Sequence, residues 1–257
     1  MLLKKILRSY RGGPDFKNIQ EDHYYLDDEF KLTVAIPVCN PFKLPNTKII
    51  NYPYTEPNWF DNHYSQIGHS KYIPINESYW FYWPLLRTPM TSELGNLRLN
   101  IALGRLLSPV TSSEELGHAV LKQYNDYYNS SSLGKYGKGH NTELVNEVEA
   151  HSACRATPFS DKEKQEQIDS HMLSFGFPEI SQFNEYKFNN IEWTKYTQIR
   201  SNKTRKKYVF ATLLEKKYYL MANFTFDMNM SNKPWYKNAE AAITPIMEGI
   251  TLKKLNT

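Results

Sequence analysis

Glu147, His151 and Cys154 stand at positions i, i+4 and i+7. On a helix that spacing brings a carboxylate, an imidazole and a thiol to one face, a three-ligand set of a kind that zinc takes. The same residues also read as a solvated Glu–His pair beside a small core cysteine, and known zinc motifs are tighter. Other groups fall outside reactive arrangements. His63 and His69 lie six apart in an aromatic stretch and match no ligand motif, and His118 follows Glu114 by one helical turn, as a surface pair does. Ser70, Ser78 and Ser152 lack a G-x-S-x-G context, and neither Cys39 nor Cys154 has a catalytic setting. Gly134, Gly137 and Gly139 form a loop without the Lys-Ser/Thr of a phosphate-binding loop. No nucleophile, base and orienting group come together. The expectation is therefore a protein that is not an enzyme and uses no cofactor or metal, with a metal-dependent enzyme built on Glu147, His151 and Cys154 as the third reading.

Binding offers more material. Aromatic residues make up 14% of the chain, and side chains with an apolar body and a polar tip are favoured at interfaces as well as in cores. They concentrate between Tyr52 and Pro89, a proline-rich stretch through which no helix or strand period runs apart from a short strand at 79–83. A long irregular segment in a compact domain is uncommon unless it has a task. Trp59, Phe60, Tyr64, Trp80, Tyr82 and Trp83 are the candidate partner-binding anchors, some of them packed beneath the segment and others exposed. Lys203 and Arg205, with Lys206 and Lys207, form a basic turn that is the next surface to consider. A solvated turn explains the same residues.

The positioning elements are clearest in the last third. Strands are expected over about 191–200, 207–214 and 218–227. Tyr208 to Leu214 is nearly all apolar, as in a central strand covered on both faces. In the third strand Tyr218, Leu220, Ala222, Phe224 and Phe226 alternate with Met221, Asn223 and Thr225. A helix follows, with Asn232 as its cap, Pro234 in its first turn and Trp235, Ala239, Ala242, Ile243, Ile246 and Met247 on one face; Gly249 ends it before a short closing strand. Earlier, strands are expected at 30–38, 48–54 and 97–107, the last with Leu97, Leu99, Ile101 and Leu103 alternating with Arg98, Asn100 and Ala102. Ser112 with Glu115, and Ser160 with Glu163, read as capping boxes opening two helices. Residues 142–154 form a further short helix or strand.

The 257 residues suffice for one large domain or a domain with an extension, and the net charge of +4 is too small to imply nucleic acid. Two cysteines exclude a disulfide scaffold. No stretch is apolar enough to span a bilayer, and the apolar part of residues 1–8 is too short for a signal peptide, although it could fray, dock on the body or touch a membrane. The expected location is cytoplasmic.

Phe188 to Trp193, Tyr208-Val209-Phe210, Tyr218 to Phe226 and Ala239 to Ile250 carry a resemblance covering about residues 95–254. Their order, after a strand and a capped helix, resembles the PsbP/Mog1-like α-β-α sandwich, in its bacterial branch. The resemblance implies an α+β fold in which helices flank an antiparallel sheet. An aromatic-rich N-terminal extension over 1–94 would pack on a core over 95–257. It further implies a protein partner: an immunity-type protein that neutralises an interbacterial toxin of type VI secretion, or a chaperone for a secreted effector. Fold analogy alone does not establish either function.

Overall fold

The computed structural model describes residues 10–40, 50–86, 92–130, 139–202, 205–227 and 232–255. The alternation in β7 (Gly95–Arg105) sets the architecture: Leu97, Leu99, Ile101 and Leu103 point to one side and are fully buried. Its antiparallel neighbour β11 (Tyr218–Asp227) matches it, with Phe224 opposite Leu99, Ala222 opposite Ile101 and Leu220 opposite Leu103. The apolar sides of the two strands therefore coincide, which fixes register, because a slip of one residue would turn both sets outward.

Around this pair runs a large antiparallel sheet. Its order is β1 (Tyr10–Gly12), β6 (Ser70–Pro84), β7, β11, β10 (Arg205–Glu215), β9 (Ile191–Ile199) and β8 (Asn184–Phe188), with β5 (Ser65–Ile67) also on β6. A second sheet has the order β12 (Ile250–Lys254), β3 (Phe30–Pro37), β2 (Ile19–Leu26), β4 (Ile50–Tyr52). Five helices occur among the described residues: α1 (Trp59–His63), α2 (Ser113–Asn129), α3 (His140–Ala153), α4 (Asp161–Phe175) and α5 (Pro234–Glu248). The fold is mixed α+β.

The main core lies between the large sheet on one side and α5 with the second sheet on the other. It joins Leu99, Ile101, Phe210 and Phe224 to Ile243, Ile246 and Met247, and to Leu32 and Val34. A smaller core on the opposite face packs Leu116, Val120 and Leu121 of α2 on Ala102, Val209, Ala211 and Met221. Ser112 caps α2, accepting from the Glu115 amide, while the Glu115 carboxylate turns to the Thr111 amide at 2.6 Å. Ser160 and Glu163 form the full reciprocal box on α4. At α5 the cap is Lys233 rather than Asn232, and it makes no side-chain hydrogen bond; Pro234 at the first position starts the helix by its fixed φ. The β8–β9 turn, Asn189-Asn190, has φ of 51° and 63° at its two residues, the left-handed pair that a two-residue hairpin turn needs.

The aromatic segment is not an irregular extension. Residues 70–84 form β6, paired with β7 from Tyr72 opposite Gly104 to Tyr82 opposite Gly95. A bulge between Pro74 and Asn76 breaks the period, and aromatic residues on both faces conceal what remains of it. The expected division at residue 94 thus falls between two paired strands of one sheet. Phe60, Trp80 and Tyr82 are at most 1% exposed and belong to the main core; Trp59 and Tyr64 pack against it, and Trp83 is half-buried. Trp80 also donates to the carbonyls of Pro37 and Val38 at 3.2 and 3.1 Å, tying β6 to the end of β3. Truncation of Trp80 should accordingly unfold, not merely blunt, the protein. Trp80→Ala is expected to cost about 3–5 kcal/mol, as for other buried aromatics, read as a lower midpoint in urea; an unchanged midpoint would contradict the core placement.

Candidate functional site: a cation-lined pocket on the central sheet

The helix-side face of the large sheet changes character along its strands. Under α2 it is apolar, with Ala102 on β7, Met221 on β11 and Ala211 on β10. Beyond α2 the same face becomes polar on five adjacent strands. One cross-strand row runs Glu77, Asn100, Asn223; the next runs Tyr79, Arg98, Thr225, Lys207, Gln198. Arg200 and Arg205 follow where β9 meets β10. The opposite face of the same strands stays apolar, because it remains covered by α5 and the second sheet.

This polar face is the floor of a cavity of about 390 Å³. Tyr128 of α2 and Phe177 after α4 wall one side, their rings stacked with centroids 4.1 Å apart. His69 enters from the β5–β6 turn, where Gly68 has φ of 57°; a Cβ there would be strained and would meet the Tyr128 hydroxyl. The His69 ring lies edge-on to Tyr124 and Tyr128, at 5.2 and 5.4 Å. Burial, with the Lys207 ammonium as a second cause, pushes the His69 pKa down to about 3, so the ring is neutral at pH 7.

Among the described residues four cations line the pocket, Arg98, Arg200, Arg205 and Lys207, against one carboxylate, Glu77. The ion pairs among the described residues involve other cations. Arg98 and Arg200 lie instead over the rings of Tyr79 and Phe177, 5.8 and 5.3 Å from the centroids. The Lys207 side chain keeps some exposed surface, but its ammonium sits deep, and burial lowers its pKa to about 8. At neutral pH it is still mostly protonated, by about ten to one, and acts as a cation. Lys206, its neighbour in β10, points to the other face and pairs with Glu240 at 3.0 Å. Strand alternation thus splits the basic turn: Arg205 and Lys207 face the pocket and Lys206 does not, while Lys203 lies outside the described residues.

Seven buried side-chain polar atoms among the described residues have no hydrogen-bond partner, and three of their side chains line this one cavity: His69 Nδ1, Gln198 Nε2 and Asn223 Oδ1. Asn223 is 8% exposed. An unmet buried group typically costs about 1–3 kcal/mol, so the pocket concentrates polar atoms that an occupant or solvent would satisfy. Chemically the arrangement supplies positive charge, amide donors and acceptors, and an aromatic wall. That is recognition chemistry for an anionic group.

The three residues weighed above as a zinc set lie elsewhere. Residues 140–153 are helical, but Glu147, His151 and Cys154 are all exposed, His151 meets the Phe159 ring at 5.7 Å, and no group of three metal-ligating side chains occurs among the described residues. Sequence reasoning missed the pocket residues as a set, although Arg98, Asn100, Asn223 and Thr225 were visible as the polar halves of two alternating strands. No helix among the described residues is long and apolar enough to cross a membrane. Comparison with family models, with curated proteins and with solved structures returns no match.

The buried lysine has a pH signature. Below about pH 8 Lys207 is protonated in the folded and unfolded chain alike, and its burial lowers stability by a constant amount. Between about 8 and 10.5 the unfolded chain keeps the proton that the folded chain has released, so this contribution rises with pH. Lys207→Met should therefore be more stable than wild type at pH 7, by on the order of 2–3 kcal/mol, and the gap should close toward pH 10.5. Urea midpoints of both proteins across that range test this; a gap that does not change with pH would refute it.

Proposed function

We propose that the chain is a non-enzymatic binding protein of immunity type, which neutralises a toxin of interbacterial type VI secretion by covering part of it with the pocket face of the central sheet. The observation that carries this reading is the set of four pocket cations, two of which, Arg98 and Arg205, are exposed at the mouth. Such a surface selects a partner region of opposite sign. The aromatic anchors Phe60, Trp80 and Tyr82 are core residues, so the contact moves to the basic end of β10 and the strands beside it. The order of elements over residues 95–254, with its likeness to the PsbP/Mog1-like α-β-α sandwich, supports the same assignment, and cytoplasmic action belongs with it.

The test is to look for a toxin gene immediately upstream and to co-express its product with this protein. Wild type should protect, and the double variant Arg98→Glu, Arg205→Glu should weaken binding by about 2 kcal/mol or more, the scale of an interface hot spot, with its melting temperature unchanged. Killing of cells that carry the wild type would reject the immunity role, whereas full protection by the double variant would reject this face. A second reading, a chaperone for a secreted effector, draws on α4, where Leu173 and Phe175 are 60% and 55% exposed. It predicts that loss of the protein abolishes export of the effector.

A further inference from the structure

Beneath the exposed arginines, the pocket floor has a chemistry that a protein surface would not use fully. Asn223 Oδ1 and Gln198 Nε2 are a buried acceptor and a buried donor, each without a partner, on strands two apart in the sheet. The Lys207 ammonium stands between them in sequence of strands, directly opposite Gln198 in register and two residues from Val209, which pairs with Asn223. A carboxylate side chain or a fully ionised anion such as sulfate offers acceptors only, and so would satisfy Lys207 and Gln198 but leave the Asn223 oxygen unmet. An occupant that meets all three carries an anionic group together with an edge bearing both a donor and an acceptor. Asn223 Nδ2 donates to Met221 Sδ at 3.3 Å, which leaves Oδ1 as the unmet atom of that amide.

The enclosure agrees. About 390 Å³ lies within the range of small-molecule pockets and suits a ligand with one ring system and one charged group. The stacked Tyr128 and Phe177 rings supply an apolar wall for a planar group. Arg200, held over Phe177, lies at the same end as Lys207 and Arg205 and extends the positive region beyond the wall. Neutral His69 adds one further nitrogen that lacks a protein partner.

We propose that the floor of this pocket binds a nucleoside monophosphate: Lys207, aided by Arg200, holds the phosphate, and the amides of Asn223 and Gln198 read the edge of the base. This activity requires no protein partner; it shares the pocket with the immunity reading but uses Lys207 and Arg200, whereas that reading is tested at Arg98 and Arg205. The test uses the purified full chain in isothermal titration and thermal-shift measurements with the purine and pyrimidine nucleoside monophosphates. Inorganic phosphate and the free nucleosides serve as half-ligands. At least one nucleotide is expected to bind and raise the melting temperature, with at least tenfold tighter binding than phosphate or its own nucleoside. Lys207→Met should weaken that nucleotide at least tenfold, and Asn223→Leu should erase the preference among bases; Lys122→Gln, remote on α2, should change neither. Because Lys207→Met is expected to fold more stably than wild type, loss of binding there cannot be charged to unfolding. Absence of binding by every nucleotide, an equal response to inorganic phosphate, or unchanged affinity in Lys207→Met would each overturn the proposal.

Discussion

The controlling constraint is unequal cover on the two faces of one sheet. On one face α5 and the second sheet cover β7, β11 and β10 along their length, and the side chains there are apolar from Leu97 to Leu103 and from Leu220 to Phe226. On the other face α2 covers only part of the strands, and its contact ends near Val209 and Tyr196. Past that level the backbone is still fully paired within the sheet, so its own polar groups are satisfied and only the side chains are free to vary. The pocket is what five strands present at the point where a helix stops. Its positive charge and its amides sit on rigid, centrally placed strands, a better platform for recognition than a loop.

The same constraint explains what could be read in the sequence. Tyr218 to Asp227 was legible to the residue, and the helix Pro234 to Glu248 to within its cap, because alternation and helical spacing are local and one face of each element is apolar. The two serine caps were legible for a similar reason, since all their bonds lie within four residues. β6 was not. Pro74 and the neighbouring bulge shift its period partway along, and Tyr79, Phe81 and Trp83 on one face match Trp80 and Tyr82 on the other in bulk. Which face is core is then decided by β7 and the second sheet, not by β6 itself.

The candidate site was legible in halves. Arg98 and Asn100 read as the polar side of one strand, and Asn223 and Thr225 as the polar side of another, 125 residues away. Their meeting depends on β11 lying beside β7, a pairing that nothing local specifies. The basic turn was visible as a cluster, but its division into Lys206 toward Glu240 and Lys207 toward the pocket follows only once the faces are known. The three residues weighed as a zinc set were read onto the right helix, but the face that carries them looks to solvent.

The second sheet has a consequence for synthesis. Three of its strands come from residues 19–52, and the fourth, β12, from residues 250–254, paired along β3 from Val34 to Phe30. The helix that fills the space between the two sheets immediately precedes β12. During translation β2 and β3 are therefore made early yet wait for the end of this stretch before their inner face is closed. Through that interval Leu32 and Val34, and opposite them Leu99, Ile101 and Phe224, lack the cover that α5 later provides. Elongation speed and chaperone occupancy over the final strand and helix thus govern how long this apolar surface stays open to wrong partners. The closing cover thus comes from elements made long after β3, which contribute nothing to the pocket itself.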